Sequence, residues 1–253
     1  MKPYAFLACA VAVVALAGCN KNNQSNVTSS EPVKLQQVAP PPGGDWTQVV
    51  NATAGGFMMG NPNAKVKLVE IGALTCPHCR AFEEEGAPTL VDKYVKSGQV
   101  SWEFRPYLLH GLDLPAVLIA TCNGATSFFP LMKALYADQE KWIGKVQAAP
   151  EAEAERVQNL PTNQQFVELA KMAGLQDWAA ARGVAQAKSN QCLSDEKHIN
   201  HLVELSGDVT NQFPSFEGTP SFVINGTPIV GAQPTEVFER TIEQAAEKTA
   251  AAS

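Results

Sequence analysis

Two cysteines three positions apart, Cys76 and Cys79, enclose Pro77 and His78, and this tetrad is the part of the chain best equipped for chemistry. Thiols at that spacing can close a disulfide or resolve a mixed one. The run Val66-Lys67-Leu68-Val69-Glu70-Ile71 before the tetrad reads as a strand, and the stretch from Ala81-Phe82-Glu83 onward has helical period. A strand-to-helix turn sets the first sulfur over the unpaired N–H groups of the helix N-terminus, which stabilise a thiolate. The thiolate is the nucleophile of disulfide exchange, so the tetrad implies redox chemistry on the cysteines of other proteins. Cys76, nearer the helix start and expected to be more exposed, is the candidate attacking or attacked sulfur. Cys79, one turn deeper, is the candidate resolving partner. Pro77 suits the first helical position, where its missing N–H costs nothing. His78 can lower the Cys76 pKa as a cation or N–H donor; its plainer reading is a solvated turn residue.

The direction of such chemistry depends on compartment, and the N-terminus bears on that. After Lys2, the stretch from Ala5 to Ala17 is small or apolar, a signal-peptide core too short to span a membrane. It ends in Leu16-Ala17-Gly18-Cys19, which resembles the lipobox of bacterial lipoproteins. That resemblance implies a signal peptide over 1–18 and acylation at Cys19, hence membrane attachment through an N-terminal lipid. An ordinary cleaved secretory signal is the alternative. Both readings export the domain to the cell envelope: a periplasm-facing lipoprotein, with the outer membrane slightly favoured, or a soluble periplasmic protein if Cys19 is not acylated.

Residues 19–45 are rich in Asn, Ser, Gln and Pro and are expected to be a disordered tether. From Trp46 onward there is chain enough for one core-forming domain. A net charge of −6 with no basic stripe argues against a nucleic-acid partner. Of 6 cysteines, Cys9 falls in the signal and Cys19 at the acyl site. The helix holds Cys76 with Cys79, which leaves Cys122 to pair with Cys192; two buried free thiols are the alternative.

Organisation follows from periodicity. Trp46 to Val50 with Gly56 to Met59 reads as a short first strand and its turn, and one long helix is expected from Pro77 to Ser97, stopped by Gly98. Val100-Ser101-Trp102-Glu103-Phe104 alternates as a half-buried strand does. Ser221 to Ile224 and Pro228 to Val230 flank Asn225-Gly226, a hairpin signal, and Pro234 is placed to open a last helix. Leu112 to Gln212 is helical in pattern, with Thr162 and Gln165 as a candidate capping box and Gly174 as a helix stop. Glu151-Ala152-Glu153-Ala154-Glu155 reads as a solvated face, as do His198 and His201. Phe128, Phe129 and Trp178 read as core of the helical block.

Taken together, Glu70, Cys76-Pro77-His78-Cys79, Gly218-Thr219-Pro220 before a strand and Asn225-Gly226 resemble the DsbA-like branch of the thioredoxin superfamily, over roughly Lys65 to Ala246. The resemblance implies an α/β, thioredoxin-like fold with a central mixed sheet flanked by helices. Residues 46–111 and 213–253 would form that domain, and 112–212 a helical insertion. It implies a cis Pro220 facing the sulfurs, with Thr219 offering backbone groups to an extended substrate segment. Thr219 departs from the Val-Pro dipeptide of the best-known members, and a hydroxyl beside the sulfurs can tune their potential. It further implies that Glu70 is a buried acid beneath Cys79, able to shuttle its proton; a solvent-facing Glu70 is the alternative. Cys122 and Cys192 resemble a second disulfide found in some members.

The expected activity is disulfide formation in exported proteins through the Cys76–Cys79 redox disulfide, with a separate redox partner resetting the pair. A reductase or isomerase is the alternative within the class. The short polar stretch before the domain leaves no room for a dimerisation domain, so a monomer is expected. The disulfide is itself the redox group, so no organic cofactor is implied. A competing reading from another class is a copper- or zinc-carrying lipoprotein using Cys76, His78 and Cys79, although these residues make a poor closed metal site.

Overall fold

The computed structural model describes residues 37–251 apart from 43, 230, 232 and 234. The expected signal peptide over 1–18, Cys19, most of the tether and Pro234 lie outside the described residues. The described end of the expected tether is docked: Val38 N donates to Ser97 O at 2.8 Å, and Trp46 Nε1 donates to Val38 O at 3.0 Å.

Six strands form one mixed sheet: β1 (Val50–Ala52), β2 (Phe57–Gly60), β3 (Val66–Gly72), β4 (Val100–Pro106), β5 (Ser221–Ile224) and β6 (Thr227–Ile229). Their order is β1-β2-β4-β3-β5-β6; β3 and β4 run parallel and every other neighbouring pair is antiparallel. The expected first strand is shorter than its sequence pattern. Asp45 Oδ1 accepts from Thr47 N and winds Trp46–Gln48 into a 3-10 turn, so β1 starts at Val50. The β5–β6 hairpin turns at Asn225 (φ 49°) and Gly226 (φ 81°), the paired positive φ values that Asn-Gly supplies at least cost.

Along β3, Val66, Leu68 and Glu70 are buried and Lys67 is exposed, so the face that carries Glu70 is the core face. Glu70 stands in register with Phe104 of β4 and Phe222 of β5. This face is covered by α1 (Pro77–Glu85), which sets Phe82 4.7 Å from Phe222, and by α12 (Thr235–Ala251), which sets Phe238 4.8 Å from Phe222. The single helix expected over 77–97 is broken instead. Pro88 has no N–H to give to the turn before it, and α1 gives way to a short α2 (Ala87–Thr89) and a π-helical turn at Leu90–Val95. Gly98, at φ 76°, ends the run as expected.

Between β4 and β5 the chain is helical: α3 (Asp113–Thr121), α4 (Ala125–Ala137), α5 (Gln139–Gln147), α6 (Glu151–Gln158), α7 (Thr162–Met172), α8 (Leu175–Ala180), α9 (Gln186–Leu193), α10 (Glu196–Gly207) and α11 (Val209–Gln212). Phe128 and Phe129 of α4 are not a core private to this block. Phe128 stacks on Phe57 at 4.2 Å and Phe129 lies 4.9 Å from Trp102, so the pair bolts the helices to the sheet. The capping box at Thr162 does not form: α7 is entered from Pro161, and Gln165 Nε2 donates to Gln158 O and Leu160 O. Cys122 and Cys192 form a disulfide that joins the end of α3 to α9, with Cα atoms 5.8 Å apart. Among the described residues, no helix is long and apolar enough to cross a membrane.

Candidate active site

Cys76 is the N-cap residue of α1, with extended backbone (φ −79°, ψ 122°), and Pro77 follows at the first helical position. The helix has no side-chain cap bond of the ordinary kind; the sulfur occupies the place where a capping oxygen would sit. The backbone N–H groups of Cys79 and His78 at the helix start are among the groups that lower its pKa. Both cysteines stand as thiols, and the expected difference in exposure is small: Cys76 is 3% exposed and Cys79 is 1% exposed. Thr219 and Pro220 account for the cover over Cys76. The Thr219–Pro220 peptide is cis, and the Cys76 thiol donates to the Thr219 carbonyl oxygen at 3.2 Å.

The two thiols are shifted in opposite directions. Cys76 falls from 9.0 to about 5. The Cys79 thiol is the largest cause, ahead of the Thr219 side chain and the backbone N–H groups of Cys79 and His78, while burial opposes them. The Thr219 hydroxyl is buried and lacks a hydrogen-bond partner, and the Thr219 side chain is among the causes that lower Cys76. Cys79 moves well above 9.0, pushed by burial and then by its bond to Cys76 and the charges of Glu70 and Cys76. His78 itself is exposed and acts on Cys76 through its backbone N–H.

Glu70 is 1% exposed, and its Oε2 accepts from Trp102 Nε1 at 3.0 Å. Burial and the charge of Glu83 hold its carboxyl well above the ordinary carboxylate range, against the pull of that indole N–H. Of the two expectations for Glu70, the buried acid near the sulfurs is the one in the structure, and the solvent-facing one is not. Glu83 went unnoticed in the sequence. It lies four positions after Cys79 on the same buried side of α1, a spacing that could have revealed it. Burial pushes its carboxyl up to about 7, opposed by Lys133, and it lines a cavity of about 500 Å3 with Trp102, Phe129 and Met132.

Such a site can hold one thiol ionised at neutral pH beside a second that stays protonated, above a buried acid able to exchange a proton. The two histidines outside the tetrad's neighbourhood do not join it: His198 is half-buried and His201 exposed on α10. Among the described residues no three His, Cys, Asp or Glu side chains converge where they could hold a metal ion.

The family model described as Thioredoxin matches residues 52–244. A Rickettsia bellii protein named as a protein-disulfide oxidoreductase is 28% identical over 171 residues, which is 67% of this chain and 57% of that one. The chain thus spans little more than half the length of that curated relative. The crystal structure of a protein-disulfide isomerase from Novosphingobium aromaticivorans superposes with a TM-score of 0.69 at 31% identity, over 75% of this chain and 96% of that one. Wolbachia pipientis alpha-DsbA1 superposes with a TM-score of 0.63 at 23% identity, over 77% and 92% of the two chains, a likeness of fold. The thioredoxin-like α/β fold expected from the sequence is the fold found.

Proposed function

The chain belongs to the thioredoxin family, and on that premise we propose that it is a protein thiol:disulfide oxidoreductase that forms disulfides in exported proteins through Cys76 and Cys79. The observation that carries this reading is the opposed shift of two neighbouring thiols, with Cys76 at about 5 and Cys79 well above 9.0. Lowering a thiol from 9.0 to about 5 favours its ionised form at pH 7 by about 3 kcal/mol. That stabilises the reduced protein and raises the potential of the pair by about 60 mV.

The reaction starts from the Cys76–Cys79 disulfide. A substrate thiolate attacks the Cys76 sulfur, the Cys76–Cys79 bond breaks, and Cys79 leaves with the electron pair. Buried and pushed upward, Cys79 takes a proton, and Glu70, a buried acid whose charge acts on Cys79, is the group we assign to give it. A second substrate thiolate then attacks the substrate sulfur of the mixed disulfide. Cys76 departs as a thiolate, a good leaving group because its pKa is low. Two substrate thiols become one disulfide, two electrons pass to the protein, one proton rests on Cys79 and one goes to solvent. A separate redox partner must remove the electrons. Thr219, through its backbone beside cis Pro220, is the element to which a substrate strand would pair.

Export to the cell envelope, by way of the segment ending at Cys19, would bring the protein to its substrates, and a monomer suffices for this cycle. The test is the reduction potential of the pair in the full chain, equilibrated in glutathione buffers, with a Cys76→Ser variant to subtract other cysteines. A value above about −180 mV supports an oxidant. A value near about −270 mV makes the protein a reductant and overturns the proposed direction.

A further inference from the structure

The helical block reaches into the active site with three side chains whose hydrogen bonds go to the residues from Ala73 to Cys76. The Tyr136 hydroxyl donates to Ala73 O at 3.2 Å. The Gln139 amide donates to Leu74 O at 2.8 Å and to Cys76 O at 3.0 Å. The Asp113 carboxylate accepts from Thr75 N and Thr75 Oγ1, each at 2.8 Å, and from His110 N at 2.7 Å. These are interior groups: Asp113 is 0% exposed, Tyr136 1% and Gln139 3%. Every residue from Ala73 to Cys76, the whole passage from β3 into α1, is therefore held by a side chain from α3, α4 or α5.

Burying three polar side chains has a desolvation cost that apolar ones would avoid. Apolar side chains could fill the space, but they could not fix the direction of a carbonyl or an amide. Direction matters at this turn. Cys76 is the N-cap residue of α1, and its peptide must be oriented so that its sulfur stands at the helix start, where the N–H groups of His78 and Cys79 lower its pKa. The turn's own backbone supplies little to hold it: Cys76 N donates to Ala73 O at 3.0 Å, and Cys76 O accepts from Arg80 N at 3.2 Å.

We infer that Gln139 and Asp113 are positioning residues for the Cys76 thiolate: by holding Leu74 O, Thr75 N and Cys76 O from the helical block, they keep the sulfur seated on the N-terminus of α1. This rests on the proposed role of Cys76 as the reactive thiol. It assigns the helical block a share in setting the chemistry of the pair. A clamp that serves only stability would strengthen the oxidised and reduced proteins alike. One that seats the thiolate must strengthen the reduced protein selectively, because only that form carries the thiolate.

The experiment uses the full chain with Gln139→Met, which keeps the volume and removes both donors, and Thr75→Val, which removes one hydroxyl and leaves Asp113 its two backbone donors. Cys76 ionisation is followed by thiolate absorbance against pH, and the dithiol–disulfide equilibrium against glutathione. Gln139→Met is expected to weaken Cys76 ionisation about tenfold, a rise of about one pH unit, and to shift the glutathione equilibrium toward the disulfide form. Thr75→Val is expected to move both readouts the same way by about two- to threefold, and it decides the matter if Gln139→Met does not fold. Folded variants that titrate and equilibrate as the parent does overturn the inference. The parent's own titration reads the proposed function separately: a parental Cys76 ionising near 9.0 would sink that reading, whereas a low parental value with unmoved variants sinks this one alone.

Discussion

The molecule carries two cysteine pairs whose surroundings divide them into opposite kinds. Cys76 and Cys79 sit within one turn at a helix start and remain thiols, each strongly shifted by its neighbours. Cys122 and Cys192 are 70 positions apart, join α3 to α9, and form a closed disulfide. What separates the pairs is where the thiolate would find its partners. The first has backbone N–H groups, the Thr219 hydroxyl and a buried acid around it. The second has carbonyls near its sulfurs, Lys188 O at 3.5 Å from Cys122 Sγ and Cys122 O at 4.0 Å from Cys192 Sγ. A carbonyl stands by the first pair as well, Thr219 O at 3.2 Å from Cys76 Sγ, so what sets that pair apart is the groups that lower Cys76 and the buried acid nearby. On the proposed function the same element is reagent at one site and staple at the other.

The widest separation should appear on deleting each pair. Cys76→Ser should abolish disulfide exchange, a loss of at least about a thousandfold in the rate of oxidising a reduced protein, while leaving urea stability near that of the oxidised parent, which likewise has no Cys76 thiolate. The double variant Cys122→Ser with Cys192→Ser should do the reverse: turnover within about threefold of the parent, and stability reduced by about 4 kcal/mol in the chain-entropy account of a loop this long. Loss of exchange in the double variant without loss of stability would erase the distinction.

A pH series sharpens it. The Cys76 pKa is depressed in the folded reduced protein, so its stabilisation is complete above the unfolded thiol's value, 9.0, and is lost as pH falls through about 5. The oxidised protein has no such thiol. Reduced-minus-oxidised stability should therefore climb from about pH 5 to pH 9, passing about 3 kcal/mol at pH 7. Glu70 and Glu83, both raised by burial, are present in both redox forms and largely cancel from the difference. Urea midpoints of the two forms from pH 4 to 9 measure the slope, and parallel curves would refute the shift at Cys76.

Local pattern made much of this legible. The strand before the tetrad, the alternating β4 and the Asn225-Gly226 hairpin were readable because neighbours in sequence decide them. The pairing of Cys122 with Cys192 was readable by elimination. The break at Pro88 was in plain view, yet the apolar period ran across it and concealed it. Glu70 could not be placed from β3 alone: alternation set it beside Leu68, but only Phe104 and Phe222 from distant strands make that face the core. Gln139 gave no signal at all, since the carbonyls it holds are 65 and 63 positions away. Asp113 gave a faint one, a lone charge heading an otherwise apolar helix. The cis bond at Pro220 was accessible only through the family resemblance. Residues that close a site from afar leave no trace in periodicity, and here they are the polar ones.

The finest contrast lies within the first pair, between Glu70, the proposed acid for Cys79, and the Thr219 hydroxyl beside Cys76. Glu70→Gln keeps an oxygen for the Trp102 N–H and removes only the proton, so the fold should stand. Attack on the oxidised pair should slow about tenfold above pH 7, where solvent protons are scarce, with the Cys76 titration nearly unmoved. Thr219→Val should do the converse and by less. It removes a hydroxyl that has no hydrogen-bond partner, so the fold loses almost nothing, and deleting it relieves a buried unsatisfied group. The Cys76 thiolate loses one of the groups that lower its pKa, so Cys76 should ionise about threefold less readily and the pair should become slightly more reducing. Stopped-flow reduction and thiolate titration of the two variants separate the effects. If Thr219→Val leaves the titration of Cys76 where it was, the low value belongs to the helix terminus and Cys79 alone, and the hydroxyl that distinguishes this chain from Val-Pro relatives has no part in it.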